Sequence, residues 1–280
     1  MRFLTLLFTI FIFNIQIIAT TPLETAFSQK HPFKHDLHPT VIPGKNSTVT
    51  VCLHGFGNNY QLAEKIKTLG IEDTLVSFNF PDHGLKKKKF LPIFITSFGS
   101  IDELLPPLYI LKTCVVDAKI EKINLYGFSA GGGALVNTIA VLQTSTYDAE
   151  LKKIGIDAKT KEQILTAIQQ GTILLDTPLK SLEEIIAHRG RSLELVFSAW
   201  KYKKNRFRPI DSLCHLNGFN VIVHFQTPDK ILSNRDDELY IQELRKHNTQ
   251  GKVHVVMGSD EGGHNGLHPT LWNYYLKGQL

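Results

Sequence analysis

The sequence predicts an α/β protein built on a doubly wound, mainly parallel β-sheet flanked by helices. Three observations carry this. Short β-branched runs alternate with stretches of helical periodicity along almost the whole chain, the order that produces a parallel sheet with crossover helices. Most of the runs are apolar nearly throughout, as strands covered on both faces are. The length of 280 residues suits one large domain, and 42% hydrophobic against 20% charged residues excludes disordered, collagen-like and coiled-coil classes.

The N-terminus comes first. Arg2 is the only charge before Glu24, and Phe3 to Ile18 is a mostly apolar run closed by the small residue Ala19. A charged start, an apolar middle and a small-residue exit predict a secretory signal peptide over residues 1–19, with the domain over 20–280 and a secreted or periplasmic location. The alternative is an uncleaved membrane anchor. Sixteen helical residues span about 24 Å against a hydrocarbon core of about 30 Å, and Asn14 and Gln16 interrupt the apolar face. Asn46-Ser47-Thr48 fits a glycosylation acceptor in a host that has the machinery.

The elements then follow in order. Predicted strands are Thr48–Leu53, Thr74–Phe80, Ile123–Tyr126, Thr172–Leu175, Asn220–Phe225 and Lys252–Met257. Predicted helices between and around them are Gln61–Leu69, Tyr109–Ala118, Gly132–Leu142, Lys161–Gln170, Ser181–His188 and Asp236–Lys246. In the last of these Leu239, Tyr240, Ile241 and Leu244 recur near helical spacing. Function in such sheets gathers at the carboxyl ends of the strands, so the residues just after each run matter most.

The first strand ends in His54-Gly55-Phe56-Gly57. The third ends in Gly127-Phe128-Ser129-Ala130-Gly131 and leads into a helical stretch. Gly-x-Ser-x-Gly between a strand and a helix is the nucleophile-elbow pattern, a sharp turn that exposes the serine hydroxyl and needs small flanking residues. The duller reading is a glycine-rich turn whose serine caps the helix.

On these residues the chain resembles the α/β-hydrolase superfamily, and the resemblance spans nearly all of the sequence after the leader. It implies a serine nucleophile, then an acid after a later strand, then a histidine after the last strand. Ser129 is the implied nucleophile. Asp229, in Gln226-Thr227-Pro228-Asp229, looks like the acid, and His264, in the loop after Lys252–Met257, looks like the base. Asp176 also follows a strand end and is the alternative acid; His268 is the alternative base. His54-Gly55-Phe56-Gly57 is similar to the family's oxyanion loop. The resemblance further implies that the insertion between Asp176 and the strand near Asn220, about 177–215, forms a small helical cap. Its Leu182, Ile185, Ile186, Phe197 and Trp200 would line an acyl pocket.

The residue chemistry supports the same set. A serine hydroxyl becomes a useful nucleophile when a neighbouring imidazole accepts its proton, and a carboxylate on the far nitrogen fixes the tautomer. The tetrahedral intermediate needs preorganised donors, for which the backbone N–H groups of Phe56 and Ala130 are the candidates. His54, Gly55 and Gly57 are expected to shape that loop. No cofactor is called for, metal or nucleotide. The stretch carrying His31, His35 and His38 lacks an acidic partner cluster for a metal, and His254, inside a strand run, reads as structural.

Net charge is +5, too small a surplus to argue for nucleic acid. The basic clusters Lys86–Lys89 and Lys201–Arg208 read as solvated faces; their functional alternative is a rim attracting anionic substrates or a membrane surface. Three cysteines without C-x-x-C spacing exclude a disulfide framework and a zinc ribbon. Cys52 reads as a core thiol, and the sequence leaves pairing of Cys114 with Cys214 open. The expected activity is hydrolysis of a small carboxylic ester through an acyl-enzyme on Ser129. Acyl transfer, thioester or peptide cleavage would use the same triad, and a binding protein that has lost catalysis is the rival from another class. Oligomeric state is not legible.

Overall fold

The computed structural model describes residues 22–34, 36–55, 58–81, 99–181, 208–227, 229, 232, 236–259, 264 and 268–278. Seven strands form one sheet: β1 Thr40–Ile42, β2 Val49–Leu53, β3 Thr74–Ser77, β4 Ile123–Phe128, β5 Ile173–Asp176, β6 Val221–Gln226 and β7 Val253–Gly258. Their spatial order is β1-β3-β2-β4-β5-β6-β7, with β1 antiparallel to β3 and every other pairing parallel. The fold is α/β and mainly parallel.

The chain moves from β2 to β3 on one side, then crosses to β4 on the other. The strand order therefore reverses beside β2, and the crevice outside the carboxyl ends of β2 and β4 is the switch point where doubly wound sheets bind ligands.

Strand alternation divides the core. Leu125, Ile173, Leu175, Val221 and Val223 point to one face, where they meet helices Ile101–Lys112, Ala130–Gln143, Ala158–Gln169 and Asp237–His247 through Leu108, Ile139, Ile164 and Leu244. Cys52, Tyr126, Phe128, Leu174 and Ile222 point to the other, against helices Leu62–Lys67 and Pro269–Leu276 through Ile66 and Trp272. The result is three layers with the sheet in the middle.

Several boundaries depart from expectation. The helix expected to begin at Tyr109 begins at Ile101 and runs through Pro106 and Pro107. Each proline removes a backbone donor and costs about 3 kcal/mol in a helix interior. Here Leu104, Leu108 and Leu111 are buried in the core, and that burial outweighs the breakers. The turn then widens to a π-helix over Thr113–Asp117. Strand β1 and helices Pro22–Phe27, Asp148–Lys153 and Pro269–Leu276 have no counterpart among the expected elements, being short or led by proline. Ser181 is not helical, and 182–188 lie outside the described residues.

Residues 1–19, where a signal peptide is expected, the Lys86–Lys89 cluster, and 182–207 of the expected cap are likewise outside the described residues. Of the expected cap, Pro209–Leu216 is a 3₁₀-helix whose Leu213 and Leu216 sit in the main core. Among the described residues no helix is long and apolar enough to cross a membrane. Cys52, Cys114 and Cys214 are all free thiols; the first two are buried and the third is exposed.

One buried carboxyl gives a stability test. Glu103 lies in the first turn of Ile101–Lys112 and accepts the Gly99 N–H at 2.6 Å. Burial pushes its carboxyl up to about 8, with the Gly99 hydrogen bond working against the rise. The folded chain then holds a proton that the unfolded chain releases, so stability falls as pH climbs toward that value. Glu103→Gln keeps an acceptor for Gly99 and cannot ionise. It is expected to melt higher than wild type near about pH 9 and to lose that advantage near about pH 5. An equal difference in Tm at both values would refute a raised carboxyl.

Candidate active site

Ser129 stands between β4 and the helix Ala130–Gln143, at φ 52° and ψ −118°. A non-glycine residue there is strained, and the surroundings hold it. Its N–H donates to the Asp176 carbonyl at 2.9 Å, and its own carbonyl accepts from Leu179 N–H at 2.9 Å and Gly132 N–H at 3.0 Å. The flanking glycines are required by close approach. A Cβ on Gly131 would lie 2.2 Å from the Leu53 carbonyl oxygen, and one on Gly127 would lie 2.6 Å from Gly132 Cα. The pentapeptide Gly127–Gly131 therefore makes a turn that only small flanking residues permit.

The three residues expected at the centre meet. Ser129 Oγ lies 2.6 Å from His264 Nε2, and His264 Nδ1 lies 2.7 Å from Asp229 Oδ2. The other carboxylate oxygen of Asp229 accepts the Leu232 N–H at 2.9 Å, which fixes how the carboxylate is turned. Ser129, Asp229 and His264 are all buried. Phe128 packs its ring against the imidazole of His264, with centroids 5.2 Å apart.

Of the expected oxyanion donors, Ala130 is the first residue of its helix, where position leaves the N–H without an intrahelical acceptor. Phe56 and Gly57 lie outside the described residues. Gly55 is pressed against the elbow: a Cβ on it would stand 2.7 Å from Phe128 and 3.2 Å from Ser129 Cβ. His54 is fully buried and bridges two strand ends. Its Nδ1 donates to the Gly55 carbonyl at 2.8 Å, and its Nε2 accepts the Phe80 N–H at 3.2 Å. Both ring nitrogens are engaged by the backbone, at Gly55 and Phe80.

Asp176, the alternative acid, has no hydrogen bond with His264. Its Oδ1 accepts from His224 Nδ1 at 2.9 Å and from His268 Nδ1 at 2.6 Å, and its Oδ2 accepts from the Tyr126 hydroxyl at 2.8 Å. All four side chains are buried. Burial alone would raise the Asp176 carboxyl, but the hydrogen bonds from His224 and His268 hold it well below the ordinary carboxylate range. Burial, reinforced by Asp176, pushes the Tyr126 phenol well above its usual value.

His224 and Tyr126 were not singled out by sequence. The available signal was a lone histidine in the apolar run Val221–Phe225. Its register decides its partner, because Asp176 and His224 are paired across β5 and β6 and point to the same face. His254, on β7, pairs with the Tyr274 hydroxyl at 2.9 Å, a structural role. Asp176, His224 and His268 are also the one group among the described residues with metal-ligand spacing.

No family model matches the sequence, and no curated protein does. Solved structures do resemble the chain. A lipase/esterase from Lactobacillus plantarum is 15% identical, with a TM-score of 0.54 over 88% of this chain and 94% of that one. An esterase from Pyrococcus furiosus is 15% identical, with a TM-score of 0.51 over 87% and 84%. Acetyl xylan esterase 1 from a Thermoanaerobacterium species is 10% identical, with a TM-score of 0.51 over 86% and 77%. At such identities the likeness is one of fold, and the fold is the α/β-hydrolase fold.

Proposed function

We propose that this α/β-hydrolase-fold protein is an exported serine hydrolase that cleaves small carboxylic esters through an acyl-enzyme. The observation that carries the reading is the continuous hydrogen-bonded line from Ser129 Oγ through His264 to Asp229 at the switch point of the sheet.

In this mechanism His264 Nε2 takes the hydroxyl proton as Ser129 Oγ attacks the ester carbonyl. Asp229 keeps the His264 proton on Nδ1, so Nε2 is free to accept, and it stabilises the imidazolium that forms. The oxyanion is held by the backbone N–H of Ala130 and by that of Phe56, the positively polarised helix start adding to the first. The alkoxide leaves with the proton from His264, and water repeats the sequence to release the acid. Export rests on the charged, apolar and small-residue pattern of residues 1–19. Esters are favoured over amides and thioesters by the likeness in fold to proteins described as esterases.

The test is labelling with a fluorophosphonate, followed by turnover of p-nitrophenyl esters graded by acyl length. An adduct on Ser129 with ester turnover supports the reading. Failure of Ser129 to label in the folded protein would refute it and favour a binding protein.

A further inference from the structure

The buried group around Asp176 takes no part in the proton path described above, yet it touches both ends of it. Through its main chain, Asp176 accepts the Ser129 N–H at 2.9 Å. Through its side chain, it accepts His268 Nδ1–H at 2.6 Å. His268 stands four residues beyond His264 and immediately before the helix Pro269–Leu276. Four residues reach at most about 14 Å even when extended, so fixing His268 confines His264. The aromatic ring of Phe128, the residue before the serine, contacts both imidazoles, with centroids 5.2 Å from His264 and 6.3 Å from His268.

Resting on the reading of Ser129, His264 and Asp229 as a triad, we propose that Asp176 and His268 are a positioning pair. One buried carboxylate fastens the histidine-bearing loop to the strand that also holds the nucleophile's backbone. The following residue, Thr177, is β-branched yet sits at φ 42°, with its N–H bonded to the His224 carbonyl at 2.8 Å. That strained turn fixes where Asp176 points. His224 supplies the second donor to Oδ1 and Tyr126 the donor to Oδ2, so the carboxylate stays ionised and oriented.

The same donors raise the alternative of a metal. The separations of 2.6 and 2.9 Å from Oδ1 to the two nitrogens are hydrogen-bond lengths. Two ligand atoms about 2.0–2.1 Å from a tetrahedral zinc stand about 3.3 Å apart. The geometry points to shared protons.

The experiment compares His268→Ala with His268→Asn, whose amide nitrogen restores a donor near the Nδ1 position. His268→Ala is expected to lower kcat about 10–100-fold, the scale of a small misplacement of a catalytic group, with KM within about twofold. Fluorophosphonate labelling of Ser129 should slow in parallel while thermal unfolding stays cooperative. His268→Asn should recover most of the loss. Should His268→Ala fail to fold, His268→Gln, which moves the donor away from Nδ1, takes its place in the comparison.

A wild-type protein whose Ser129 does not label sinks the triad reading and the pair with it. A wild type that labels while His268→Ala keeps its full kcat sinks the pair alone. Equal loss in the Ala and Asn variants would assign His268 to packing, and stoichiometric zinc whose removal abolishes activity would assign the group to a metal. Either result overturns the proposal.

Discussion

Ser129→Ala is expected to fold like the wild type and to lose about three or more orders of magnitude in kcat toward a p-nitrophenyl ester. Folding should survive because the elbow is held by its backbone: the Ser129 N–H and carbonyl bonds to Asp176, Leu179 and Gly132 remain in the variant. Alanine suffers the positive φ no more than serine does. Activity should collapse because His264 Nε2, 2.6 Å from the hydroxyl, then has no proton to accept. The residual rate would come from the oxyanion donors and from substrate binding. Steady-state kinetics with a matched circular-dichroism melt decides it. Retention of more than a tenth of wild-type turnover would overturn the assignment of the nucleophile.

Asp229→Asn should be nearly as severe, with kcat down by as much as about ten-thousand-fold. The structure gives the reason atom by atom. The Leu232 N–H holds one oxygen of Asp229, so in asparagine the remaining oxygen stays there and the amide NH₂ faces His264. An N–H pointing at Nδ1 forces the histidine proton onto Nε2, where it blocks acceptance from Ser129. Asp176→Asn makes the comparison. It has no hydrogen bond with His264, still offers an oxygen to His224 and His268, and should cost no more than the loss of about 10–100-fold expected when the positioning pair is disturbed. If Asp176→Asn proves the crippled variant while Asp229→Asn stays active, the acid has been misassigned.

Six of the seven strands, the elbow, and Ser129 and His264 as candidates for the proposed triad were legible in the sequence by itself. Strand and helix order is local information, carried by β-branched runs and helical spacing. Gly127-Phe128-Ser129-Ala130-Gly131 is local as well, because a tight turn writes its steric demand into adjacent positions. Chain order then pointed to His264 and Asp229. Helix Ile101–Lys112 was legible only in its last turn, from Tyr109, since two prolines look like a break until the burial of Leu104 and Leu108 is known. Asp176 and Asp229 were locally alike, each following a strand and preceding or following a Thr-Pro pair, and nothing in their neighbours separates them.

Only the tertiary structure decided between them. Which carboxylate reaches which imidazole depends on contacts 35 residues apart for Asp229 with His264 and 92 apart for Asp176 with His268. The meeting of Asp176 with His224 depends on the register of β5 against β6. Strands apolar on both faces lack the alternation that marks register in a half-buried strand, so the second buried carboxylate became visible only once the sheet was assembled.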